Sequence, residues 1–207
     1  VGGTGIAWGA KIVPALVGYG DGQTAKVFLS NLSANAAVSV NSWGDDQAFA
    51  ENFGASGTES HREWGAALTR LATEGRAGLG TVVAVSGGNE RGNGADIALS
   101  NFTGNKLTIA VGAIAHDGKP TYYSSQGASL LVTAPGGVAS EDSTATDLGF
   151  GIASADMTGS LGFNINEGEA GNYAFQNQGT SYSQPMVAAI AALMLEANPK
   201  LGFRDVS

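Results

Sequence analysis

Gly179-Thr180-Ser181-Tyr182-Ser183-Gln184-Pro185-Met186 runs directly into the apolar stretch Val187 to Leu195, and this join of turn and helix is the most telling part of the sequence. The spacing predicts a helix from about Ser181 to Ala197, with Pro199 just beyond its end. Pro185 falls near the first turn, where a missing N–H costs a helix least. The first N–H groups of a helix have no intrahelical acceptor, and the macrodipole adds positive potential at the same end. Such donors stabilise the oxyanion formed when a serine hydroxyl attacks a carbonyl, so Ser181 is a candidate nucleophile. The competing reading is a serine N-cap on a buried helix.

Upstream of this helix the sequence alternates between strand and helix patterns. Lys11 to Val17 reads as a short apolar strand. Gln23 to Leu32 has helical spacing with Ala25, Phe28, Leu29 and Leu32 on one side. Ala37 to Trp43 reads as a strand, Arg62 to Glu74 as an amphipathic helix burying Trp64, Ala67, Leu68 and Leu71, and Leu79 to Ser86 as a buried strand. Leu107 to Ala113 and Leu130 to Thr133 add two more. This alternation predicts an α/β fold with a mostly parallel sheet and helices on both faces. Ligands bind such sheets beyond the carboxyl ends of the strands, which is where Trp43-Gly44 and Gly87-Gly88-Asn89 fall.

Four blocks in order then carry a family likeness: Val40-Asn41-Ser42-Trp43-Gly44, Val82 to Asn89 (Val-Val-Ala-Val-Ser-Gly-Gly-Asn), Tyr123-Ser124-Ser125 with Ala134-Pro135-Gly136, and Gly179-Thr180-Ser181-x-Ser183-x-Pro185. Together they resemble the subtilisin-like serine proteases, the subtilases. Gly3 to Ile12, Thr73 to Gly80, and Leu195 to Pro199 with Phe203 to Val206 resemble the kexin-like, proprotein-convertase branch. The resemblance implies a three-layer subtilisin-like fold, with residues 1–207 forming the C-terminal part of a peptidase catalytic domain. It implies that Ser181 is the nucleophile and that the Asn89 amide and the Ser181 N–H hold the oxyanion. Read without it, Asn89 is a loop asparagine tolerating left-handed geometry, a reading that the flanking strand and glycines weaken. Ser42-Trp43-Gly44 and Ser86-Gly87-Gly88 would be the two backbone walls of the P1 pocket, with Trp43 alternatively plain core. A structural calcium ion is implied at the opening loop, bound through carbonyls of Val1 and Gly3. The expected partner is a peptide or protein substrate, with a P domain following, in a protein that is secreted, periplasmic or at the cell surface.

The sequence also departs from the family. The family's catalytic histidine lies in a His-Gly-Thr motif, and neither His61 nor His116 sits in one; both read as surface residues. The expectation is therefore a fragment lacking the Asp and His motifs and inactive alone. The rival is a non-catalytic subtilase-like binding or scaffold module. Eleven positions beyond Asn89, where convertases keep an acid for basic P1 residues, stands Ser100. Asp45, Asp46 and Asp96 are the nearby acids, and Ser125 stands where the convertases have a calcium-binding glutamate. A broad endopeptidase is expected rather than a strictly dibasic one.

Composition narrows the classes further. The 207 residues, 43% apolar, suffice for one domain with a core. With 10 Lys and Arg against 18 Asp and Glu, the net charge is −8, no basic cluster interrupts it, and nucleic acid is not an expected partner. The absence of cysteine excludes disulfides, thiol catalysis and cysteine-ligated zinc. Met186 to Leu195 is about half of what a membrane span needs. Asn31-Leu32-Ser33 and Asn101-Phe102-Thr103 are formal glycosylation sequons.

Overall fold

The computed structural model describes residues 4–16, 18, 22–44, 47–138, 151–164 and 171–207. Its centre is a four-stranded parallel sheet in the order β1 (Val38–Asn41), β2 (Val82–Ser86), β3 (Ile109–Ala115), β4 (Val132–Gly137). Every residue of β2 is buried, as a strand covered on both faces requires. Because successive side chains point to opposite faces, Val83 and Val85 join one core and Val82 joins another.

The first core holds α1 (Gln23–Ser33) and α2 (Glu59–Glu74), through Phe28, Trp64, Leu68 and Leu71. The second holds α3 (Thr180–Ala197), whose Ala191 and Leu195 meet Val82, Ile109, Val111 and Ala134. Helices thus lie on both faces of the sheet, giving the three layers expected. An antiparallel pair, β5 (Ile152–Ala155) with β6 (Tyr173–Asn177), leads into α3, and α4 (Phe203–Val206) follows it.

Three expectations need correction, and one pair of strands had no counterpart in the sequence reading. Lys11 to Leu16 forms no strand: these residues have no ladder partner among the described residues, Pro14 removes an N–H, and Ile12 and Leu16 are 89% and 97% exposed. α2 starts three residues before Arg62, because Thr58 caps it by accepting the His61 N–H at 3.2 Å. β2 starts at Val82 rather than Leu79, since the chain is still turning through left-handed Arg76 and Ala77. β5 and β6 were not foreseen from the sequence. Their side chains are half-buried or exposed, so no continuous apolar run marks them.

Candidate active site

Parallel pairing brings the carboxyl ends of β1 and β2 side by side, with Asn41 opposite Val85. Ser42-Trp43-Gly44 leaves one strand and Ser86-Gly87-Gly88 the other, and these segments line a cavity of about 220 Å³ together with Asn89, Thr180 and Ser181. Trp43 lines the cavity and also packs on the core. Its ring stacks on Phe102 at 5.0 Å and lies 5.5 Å from Trp64, so the same indole is wall and core.

The turn before α3 is bound on several sides. Gly179 has φ 133°, a region that favours glycine, and its N–H points to the Gly136 carbonyl (2.9 Å) and to the Tyr123 hydroxyl (2.8 Å). Tyr123 itself donates to the Gly136 carbonyl. Burial holds its phenol above the ordinary tyrosine range, so it keeps the proton that this bond needs. Ser183 Oγ donates to the Pro135 carbonyl at 3.1 Å. The Ala134-Pro135-Gly136 block is thus the seat of the helix start.

Asn89 is oriented by Thr180. Its Oδ1 accepts from the Thr180 N–H (2.9 Å) and from Thr180 Oγ1 (3.0 Å), while Thr180 Oγ1 accepts the Gly88 N–H (3.2 Å). A backbone N–H only donates, so the atom facing it is the amide oxygen, and Nδ2 lies on the other side. The Cβ that Gly179 lacks would sit 3.8 Å from Asn89 Nδ2, from Asn89 Oδ1 and from the Ser181 nitrogen alike, so the Asn89 amide and the Ser181 N–H border one small space beside the serine. The Ser181 N–H has no acceptor among the described residues, as a helix start permits.

The Asn89 turn is braced from below. The Asn89 N–H donates to Glu90 Oε2 (2.6 Å), the Glu90 N–H to Ser125 Oγ (3.1 Å), and the Ser125 N–H to the Gly88 carbonyl (3.0 Å). Gly88 has φ +95°, and a Cβ there would come within 3.0 Å of Glu90 Oε2 and Ser125 Oγ. Ser125 thus anchors the loop that carries the asparagine, while its neighbour Ser124 accepts the Ala113 N–H of β3 at 3.0 Å.

Ser100 lies in the cavity lining with Glu90 and Asp96, and no lysine or arginine does. The Ser100 hydroxyl donates to the carboxylate of buried Glu51 and accepts the Phe102 and Thr103 N–H groups at 3.1 and 3.2 Å. Glu51 was not picked out from the sequence, because it stands 49 residues away on an irregular segment with no motif around it. Asp45 and Asp46 lie outside the described residues, as do Val1 and Gly3.

Among the described residues no group of three or more His, Asp or Glu side chains is placed to hold a metal, and Ser125 presents a hydroxyl already used by Glu90. Neither histidine lines the cavity: His61 Nδ1 accepts the Asn52 N–H at 3.4 Å, and His116 is exposed. Both sequon nitrogens are engaged, Asn31 Nδ2 with Ser39 Oγ (2.9 Å) and Asn101 Nδ2 with the Glu51 carbonyl (2.7 Å).

A profile of the subtilase family, Peptidase S8, matches residues 1–207, and the chain belongs to that family. It is 29% identical over 206 residues to proprotein convertase subtilisin/kexin type 7 of Mus musculus, covering 98% of this chain and 24% of that protein. It is 30% identical over 218 residues to a calcium-dependent protease of Trichormus variabilis, covering 99% of this chain and 31% of that one. The chain therefore spans between a quarter and a third of these relatives' length. Among solved structures, a protease from Pseudoalteromonas arctica superposes with a TM-score of 0.64 at 23% identity, over 98% of this chain and 55% of that one, and a cold-adapted subtilisin-like serine proteinase with a TM-score of 0.54 at 20% identity, over 91% and 54%, which bears out the subtilisin-like fold.

Proposed function

We propose that these 207 residues are the C-terminal part of the catalytic domain of a serine endopeptidase, carrying the nucleophile, the oxyanion donors and the walls that take the P1 side chain. The observation that supports this most is that the Asn89 side-chain amide and the Ser181 N–H border one space beside Ser181, at the edge of a cavity a side chain can enter. In this reading Ser181 Oγ attacks the scissile carbonyl carbon and its proton passes to an imidazole contributed from outside the 207 residues. The negative oxygen is held by the two donors. Collapse expels the amine, and water then hydrolyses the acyl-enzyme. An external base is favoured because neither histidine lines the cavity and the relatives are three to four times longer.

The same absence of a base favours a second reading, a non-catalytic subtilase-like module. The two separate in one experiment on peptide amide substrates. The full-length polypeptide is expected to cleave and to lose about 10⁶ in kcat on Ser181→Ala, the scale of loss for a triad nucleophile, while the isolated 207-residue chain shows no turnover. A silent full-length protein would favour the non-catalytic module. Cleavage by the isolated chain would mean that the base lies within it.

A structural calcium ion bound by the carbonyls of Val1 and Gly3 belongs to the same proposal, supported by the name of the Trichormus relative and by no described residue. Secretion or display at the cell surface or in the periplasm, a peptide or protein substrate and a following P domain rest on the likeness to the convertase branch. No described helix is long and apolar enough to cross a membrane.

A further inference from the structure

Gln184 sits one turn beyond Ser181 on α3 and is completely buried. A primary amide in a core is costly unless both ends are bonded, and both are. Its Nε2 donates to the Ala84 carbonyl of β2 at 2.9 Å, and its Oε1 accepts from Ser42 Oγ at 3.0 Å. The Ala84 carbonyl can only accept, which fixes the amide's orientation and leaves its oxygen facing Ser42. Ser42 Oγ also lies 3.3 Å from the backbone carbonyl of Ser181 itself.

One amide therefore joins three separate parts of the site. Ser42 opens the Ser42-Trp43-Gly44 wall, Ala84 lies two residues before the Ser86-Gly87-Gly88 wall, and the third partner is the helix that holds the nucleophile. Ser42 is exposed and leaves the end of β1, so no ladder hydrogen bond fixes its distance from Ser181. The Ser42 hydroxyl and the Gln184 amide supply that tie.

We propose that Gln184 is a positioning residue, which through Ser42 sets the spacing between the substrate-binding walls and the Ser181 nucleophile. This rests on the endopeptidase reading above. Its consequence is selective: attack on an extended peptide depends on that spacing, whereas attack on a small reagent that does not touch the walls depends only on Ser181 and its activation. Misplacement of a bound substrate by about 1 Å costs on the order of 10²-fold in rate.

The test uses the full-length protein, with Gln184→Met as a near-isosteric apolar replacement and Ser42→Ala at an exposed position. Two rates are measured for each: kcat/KM on a peptide amide, and phosphonylation of Ser181 by a small alkyl fluorophosphonate. The ratio of the first to the second is expected to fall at least about tenfold in each variant, chiefly through kcat. The double variant is expected to lose little more than either single one, since both break the same tie. A Gln184→Met protein losing both rates in proportion would assign Gln184 to general stability, and an unchanged ratio in Ser42→Ala would overturn the proposal even if Gln184→Met failed to fold. Full additivity in the double variant would overturn it too. A parent protein that neither cleaves nor is phosphonylated would sink the endopeptidase reading and this inference with it.

Discussion

Thr180 N–H and Oγ1 on the oxygen of Asn89 turn a loop asparagine into a directed donor. In the proposed reading, a hydrogen bond from its Nδ2 would strengthen as charge develops on the scissile carbonyl oxygen, and so would act in the transition state more than in the ground state. Asn89→Ala in the full-length protein is expected to lower kcat by about 10²–10³-fold, a magnitude taken from a subtilisin asparagine of the same role, with KM little changed; an unchanged kcat in steady-state assays would remove Asn89 from the site. Tyr123 gives a prediction in pH. Its folded-state pKa is raised by burial, so the native phenol stays protonated where the unfolded one ionises. The stability tied to it is complete below the unfolded value near 10 and is lost as pH rises through the folded value. The thermal midpoint is expected to drop between about pH 9 and 11, with a shallower decline in Tyr123→Phe. Parallel curves for the two proteins would show that Tyr123 does not set that limb.

At the scale of elements, the site is a junction of three chain segments: the ends of β1 and β2 and the start of α3. The helix start was legible because proline near its first turn and a long apolar run are local signals. Its exact seat was not, since the bonds to Gly136, Pro135 and Tyr123 come from residues 40 to 60 positions earlier. Gly179 carries the sharpest consequence. A side chain there must adopt φ 133°, and its Cβ would stand in the space that the Asn89 amide and the Ser181 N–H border. Backbone strain of that kind costs about 1–3 kcal/mol. Gly179→Ala is expected to lower the denaturation free energy by that amount and to reduce kcat/KM at least about tenfold by crowding the oxyanion. Normal kinetics in a destabilised variant would show that this space is not where the oxyanion sits.

At the scale of the whole molecule, charge and cavity act together on substrate choice. The chain carries a net −8, and the cavity lining includes Glu90 and Asp96 with no lysine or arginine. Ser100, with both its donor and its acceptor capacity in use, presents no charge at the position where, in the proposed reading, a P1 guanidinium would need a bonded carboxylate. The full-length enzyme is therefore expected to reject Asp and Glu at P1 by at least about a hundredfold in kcat/KM against Leu, about 2.7 kcal/mol of transition-state binding, while not requiring paired basic residues. A peptide series varying P1 checks both. An Arg preference over Leu and Phe above about a hundredfold would mean that an acid, Glu51 behind Ser100 being the nearest buried one, reaches the P1 side chain after all.

The sequence by itself determined the layering of the fold and the family likeness, because strand and helix periodicity and short glycine-bearing motifs are local and survive without knowledge of neighbours. It also nominated Ser181, Asn89, Ser42-Trp43-Gly44 and Ser86-Gly87-Gly88, which the structure gathers around one cavity. Only the tertiary structure decided that Trp43 is wall and core at once, that Lys11 to Leu16 is no strand, and that Glu51 and Gln184 stand behind the site. A buried carboxylate or amide is tolerable only through partners far away in the chain, here Ser100 for Glu51, and Ser42 with Ala84 for Gln184. Pairing of that range leaves no periodic trace in sequence.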